Sequence, residues 1–126
     1  MSLRSPLGKV KGLGAAGEGV GHWWAQRLTA LALIPLTMWF VASVAMMAGA
    51  DYATVRDWIG SPVVAGLFVL LIVATFYHAF LGLQVVIEDY VHNEGVKVAS
   101  ILIVQGLAIV LGLTAVLAVL TVLFRG

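Results

Sequence analysis

The sequence predicts an all-α membrane protein: three transmembrane helices in an up-down-up bundle, preceded by an extended glycine-rich N-terminal arm. Composition is the first observation behind this. Charged residues make up 10% of the 126-residue chain and hydrophobic residues 62%, whereas soluble domains carry about 25% charge. The mean hydropathy is +1.07, and a soluble fold this small leaves too much area exposed to hide such a surface. The second observation is three stretches without Asp, Glu, Lys or Arg: Leu28 to Ala50, Ser61 to Ile87 and Val98 to Phe124. As helices they reach about 35, 40 and 40 Å, enough to cross a hydrocarbon core of about 30 Å. Third, continuous apolar runs such as Val116 to Leu120 lack the alternation of barrel strands, which leaves helices as the spanning structure.

The same composition excludes a soluble enzyme with its own aqueous active site, and it excludes a disordered tail. The absence of cysteine removes a disulfide framework, a cysteine zinc site and an iron–sulfur cluster held by this chain alone. A net charge of +1 gives no reason to expect nucleic acid as a partner.

Two regions follow: an arm over 1–21, and a transmembrane domain over 22–126 with helices at about 24–49, 62–89 and 96–124. The arm is rich in glycine and basic residues and has no apolar periodicity. Its Gly12-Leu-Gly14-Ala-Ala-Gly17 matches G-x-G-x-x-G in form but has no preceding strand or βαβ unit, so it reads as a strap and not a nucleotide site. His22-Trp23-Trp24-Ala25-Gln26-Arg27 then leads into the first span. The tryptophans suit the interfacial belt, and Arg27 is either a headgroup anchor or a contact to an anionic ligand.

Within the first span, Pro35 is expected to kink the helix. Ala48-Gly49-Ala50 resembles a signal-peptidase site, but the preceding run is too long for a signal peptide, so the segment is expected to remain a helix. Ser61-Pro62 opens the second span with proline in the first turn, and Asn93-Glu94-Gly95 reads as the turn before the third. Both loops are read as short, about ten residues, which makes neighbouring helices antiparallel. With the N-terminus inside, Arg4, Lys9, Lys11, Arg27 and Lys97 share one face, against Arg56 and Arg125 on the other. That bias favours an N-terminus inside and a C-terminus outside.

His78 is the ionisable residue within a span, and such a residue is a functional hypothesis by default. Lying about 15 Å of helical rise from Glu88, it falls near mid-membrane. Ala74, Thr75, Ala79 and Gly82 surround it with small side chains, leaving a shallow trough on one face. Three readings stand: an axial ligand to a tetrapyrrole lying in the trough, a packing histidine hydrogen-bonded across a helix interface, or a station in a proton path. If two histidines hold the iron, the second comes from another chain, because His22 and His92 lie outside the core. Glu88-Asp89-Tyr90 ends the second span, where acidic residues oppose the helix dipole. Tyr90 fits the interfacial belt; it is also placed to donate a hydrogen bond to a quinone carbonyl, with Asp89 holding a proton beside it. The third span has no ionisable residue within its core. Its stripe of Ala108, Gly112 and Ala115, with Gln105, reads as helix packing.

His78-Ala79-x-x-Gly82 followed by Asp89-Tyr90, together with Gly21-His22-Trp23-Trp24-Ala25-Gln26-Arg27-Leu28-Thr29-Ala30, resembles the succinate dehydrogenase hydrophobic membrane anchor subunits. These are the D subunits of respiratory complex II, here of the alphaproteobacterial type. The resemblance covers most of the chain. It implies that His78 is an axial ligand of haem b, with Arg27 near the propionates and the quinone pocket. It further implies that Tyr90 hydrogen-bonds ubiquinone and that Asp89 adjoins it. The implied partners are a larger cytochrome b anchor subunit supplying the other haem ligand, an iron–sulfur subunit and a flavoprotein subunit. They form a hetero-oligomer in the bacterial inner membrane, the chain being non-catalytic alone. Trp23 and Trp24 receive no role. The competing readings are a cofactor-free structural subunit or assembly factor, and the anchor of a fumarate reductase.

Overall fold

The computed structural model describes residues 16–125, which form three long helices and one short one. Helix α1 covers Ala16–Met46, α2 Tyr52–Ile59, α3 Pro62–Tyr90 and α4 Glu94–Arg125. At 1.5 Å per residue the three long helices measure about 43 to 48 Å, more than a bilayer core requires. All three are long and apolar enough to cross a membrane.

Helix α1 begins earlier than the sequence suggests. Residues 16–21, expected to belong to the extended arm, are helical. Glycines at 17, 19 and 21 are poor helix formers, but extending an existing helix adds one hydrogen bond for each residue fixed. The rest of the arm, including most of the glycine motif, lies outside the described residues. At its other end α1 stops at Met46, not Gly49. The chain leaves through tightened turns, Ala48 N–H to Ala45 O at 3.3 Å and Ala50 N–H to Met47 O at 2.9 Å. Gly49 sits at φ +84°, a left-handed conformation that favours glycine. Pro35 is accommodated inside one continuous helix.

The first connection holds a helix that hydrophobic patterning did not reveal. Asp51 caps α2, its carboxylate accepting the Thr54 N–H at 2.9 Å. Hydrogen bonding from Thr54, its side chain first and its backbone N–H second, holds the exposed Asp51 carboxyl below its ordinary pKa. Trp58 then reaches Phe68 of α3 at 5.4 Å and Trp39 of α1 at 6.1 Å. Gly60 brings the end of α2 against α4, where an added Cβ would lie 3.5 Å from Val122 O. The second connection is shorter than expected. Asn93 accepts the Val96 N–H at 3.0 Å as a cap, so α4 starts at Glu94 and Asn93-Glu94-Gly95 is helix entry and not a free turn.

Helix α3 occupies the middle of a row. It packs against α1 on one side and α4 on the other, while α1 and α4 do not meet. Ala65, Ala74 and Leu81, the buried hydrophobic residues among those described, all belong to it. Large apolar side chains elsewhere point outward: Leu31 is 63% exposed, Met38 69% and Ile103 62%. Such a surface needs lipid or partner helices around it.

Candidate functional site

Two facing stripes line a groove between α1 and α3. On α1 they are Gly19, His22, Gln26 and Thr29, spaced by helical turns. On α3 they are His78, Gly82 and Val85. Gly19, His22, Trp23, Gln26, Arg27, Gly82 and Val85 bound an open pocket of about 470 Å³. The approach is close at Gly82, where a Cβ would stand 3.7 Å from Gln26 Nε2.

His78 is half-buried just below this pocket. Its Nδ1 lies 2.9 Å from Thr29 Oγ1 on α1. Thr29 follows Arg27 by only two residues, and His78 lies four residues, about 6 Å, past the centre of its apolar run. The imidazole therefore meets α1 close to its Arg27 end.

Polar groups without partners gather at the same place. His22 Nε2 and Gln26 Oε1 are buried and form no hydrogen bond with the described residues. Burying such atoms unpaired costs about 1–3 kcal/mol each. Arg27 stands over the Trp23 ring at 5.3 Å, a cation–π contact that holds the guanidinium at the pocket wall. Trp23 packs edge-on against Trp24 at 5.0 Å.

The structure brings Arg27 and the His78 stripe to one groove. Asp89 continues that stripe, being eleven residues and about 20° around the helix from His78. Tyr90 does not. It lies about 120° from His78, closer to the line of Leu83, which faces α4. The residue is 78% exposed at the end of α3. Glu88 is engaged by Gln84, whose amide donates to it at 3.0 Å.

His22, Gln26 and Thr29 were not singled out from sequence. Their signal was there: three polar residues on one face of a helix otherwise entering a membrane. Among the described residues no group of three His, Asp or Glu side chains forms a multidentate ion site.

Comparison with known proteins settles the family. Residues 1–122 match the family described as Succinate dehydrogenase/Fumarate reductase transmembrane subunit. The chain belongs to that family. A Rickettsia bellii protein named succinate dehydrogenase hydrophobic membrane anchor subunit is 30% identical over 124 residues, covering 98% of this chain and 97% of its own. One of the same name from Paracoccus denitrificans is 32% identical over 101 residues, with 80% and 78% covered. A succinate dehydrogenase membrane anchor subunit from Reclinomonas americana is 32% identical over 95 residues, with 73% and 79% covered. Membership agrees with the resemblance carried by His78-Ala79-x-x-Gly82, Asp89-Tyr90 and the segment from Gly21 to Ala30.

Proposed function

We propose that this chain is a membrane anchor subunit of a succinate:ubiquinone oxidoreductase, supplying one axial ligand of haem b and part of the ubiquinone site. The observation that carries the haem assignment is the groove. One wall presents a lone imidazole within an apolar span, and the other presents Arg27 with two polar atoms that have no partner among the described residues.

The residues fit that cofactor on their own chemistry. His78 offers one nitrogen to iron, and Gly82 keeps the adjoining helix face flat enough for a macrocycle to approach. Arg27 and the unpartnered His22 Nε2 suit the carboxylates of the propionates. The Gln26 amide presents a donor or an acceptor according to its rotation. When bound, haem supplies a one-electron store close to the quinone.

At the rim, Tyr90 is assigned the hydrogen bond to a quinone carbonyl, and Asp89 holds a proton beside it. Succinate oxidation to fumarate releases two electrons and two protons; quinone reduction to quinol takes up two of each. A flavoprotein subunit and an iron–sulfur subunit perform the oxidation, and a larger cytochrome b anchor subunit gives the second haem ligand. The chain itself catalyses nothing alone. Its placement is the bacterial inner membrane, N-terminus cytoplasmic and C-terminus periplasmic, which sets Arg27, Asp89 and Tyr90 on the side of the soluble subunits.

The reduced-minus-oxidised absorption spectrum of the purified complex tests this. A b-type signal that disappears in His78→Ala supports the assignment. An assembled complex whose haem signal is the same without the imidazole, or that has none to begin with, leaves His78 a packing residue and the chain a cofactor-free structural subunit.

A further inference from the structure

A threonine hydroxyl carries one proton, and the surroundings of Thr29 fix where it goes. Its Oγ1 lies 2.7 Å from the Ala25 carbonyl oxygen, 3.1 Å from that of Gln26 and 2.9 Å from His78 Nδ1. Two oxygens at the shortest of these distances need a proton between them. The hydroxyl therefore donates back to its own helix, as threonine does within helices. What Oγ1 turns toward His78 is lone-pair density. The Nδ1 contact is then a hydrogen bond only with Nδ1 protonated and donating. A neutral imidazole has a single N–H, so Nε2 is left with its lone pair free.

We infer that Thr29 is a positioning residue that sets the tautomer and ring orientation of His78, presenting Nε2 as the ligating nitrogen. The inference rests on the haem reading above and extends it to a residue that touches neither iron nor quinone. The chemistry is that of an outer-shell partner: a hydrogen bond at the far nitrogen orients a ligating imidazole and raises its basicity. Greater basicity favours the ferric state, so Thr29 lowers the reduction potential of the haem. The same contact ties α1 to α3 at the depth of the ligand. Ring orientation and helix pairing are thus set by one bond.

The test uses the assembled complex with Thr29→Val, Thr29→Ala and Thr29→Ser. The readouts are haem content per complex and a potentiometric titration of the haem band, neither of which needs turnover. Without the hydroxyl, haem is retained about tenfold less tightly, the lower end of the range for outer-shell partners. If that preference falls wholly on the ferric state, the midpoint rises by about 59 mV for a one-electron couple. Thr29→Ser, which keeps the hydroxyl, restores the wild-type potential. A Thr29→Val or Thr29→Ala complex with unchanged potential and haem content overturns the inference. So does a Thr29→Ser complex displaced as far as Thr29→Val, since volume and not the hydroxyl is then responsible. Either variant lacking the hydroxyl suffices if the other does not assemble. Haem that depends on His78 but ignores Thr29 removes only this inference, whereas haem that ignores His78 removes the functional reading beneath it.

Discussion

Phe68 holds together the end of the molecule opposite Arg27, and Phe68→Leu should show by how much. Its ring meets Trp39 at 5.3 Å, Phe40 at 5.9 Å and Trp58 at 5.4 Å, all edge-to-face. Leucine stays apolar, so transfer into lipid changes little; what is lost is the electrostatics of three aromatic pairs. At about 0.5–1.5 kcal/mol per pair, the variant should lose roughly 1.5–4.5 kcal/mol of stability. Only one of the three pairs ties α2 to α3. Local opening of α2 should therefore rise by the equivalent of one pair, roughly 2- to 12-fold. Hydrogen exchange of the α2 amides in lipid nanodiscs reads the local number, and denaturant titration reads the global one. Phe68 is ten residues, about 15 Å along the helix, from His78, so the haem spectrum of folded complex should not move. A stability loss below about 0.5 kcal/mol, less than the least expected of a single pair, would refute the reasoning. An α2 exchange rate equal to wild type would do so too.

Other substitutions separate the parts of the site. Gly82→Ala places its methyl 3.7 Å from Gln26 Nε2, an ordinary contact, and gains about 1 kcal/mol of helix propensity. The bare chain should be no less stable, while Gly82→Leu should displace haem without unfolding the bundle; full haem content in the leucine variant, measured by pigment extraction, tells against the trough. Tyr90→Phe should depress quinone reduction far more than succinate oxidation with an artificial acceptor, and equal loss in both assays counts against a quinone contact. Asp51→Ala should speed exchange at the Thr54 amide. In the wild type that protection is present at neutral pH and falls as pH drops below the ordinary aspartate range, because a cap whose folded pKa is depressed loses its advantage when protonated. A pH-independent exchange profile, after correction for intrinsic rates, would show that the carboxylate is not the cap.

The spans were legible because lipid demands long uncharged runs, and such runs cannot be mistaken over residues 61–87 or 98–124. Helix α2 was not, because eight residues are too few to display a period beside Tyr52, Arg56 and Asp57. Its cap and its tryptophan are the real signals, and Trp58 finds meaning only when Phe68 and Trp39 arrive from distant positions. The start of α1 was misread for a related reason: glycine predicts against helix locally, and the length of the neighbouring span prevailed. His78 was legible as a lone imidazole in an apolar field. Its partner Thr29, 49 positions away, was not, since threonine is unremarkable in a transmembrane helix until its single proton is accounted for.

The row arrangement suits the proposed reading, in which this chain supplies one of two haem ligands. Helix α3 is covered by α1 and by α4, and those two helices never close around it. A closed bundle would have surrounded the His78 imidazole with its own side chains and satisfied both ring nitrogens internally. In a row, one flank of the α1/α3 groove stays open, and the bond to Thr29 uses only the ring nitrogen that faces α1. The buried atoms of His22 and Gln26 find no partner among the described residues. Each atom buried without a partner costs about 1–3 kcal/mol, a penalty that a partner in the groove would remove. A group that fills the groove beside His22 and Gln26 would therefore strengthen the pairing of α1 and α3, which links the stability of the subunit to the assembly it joins.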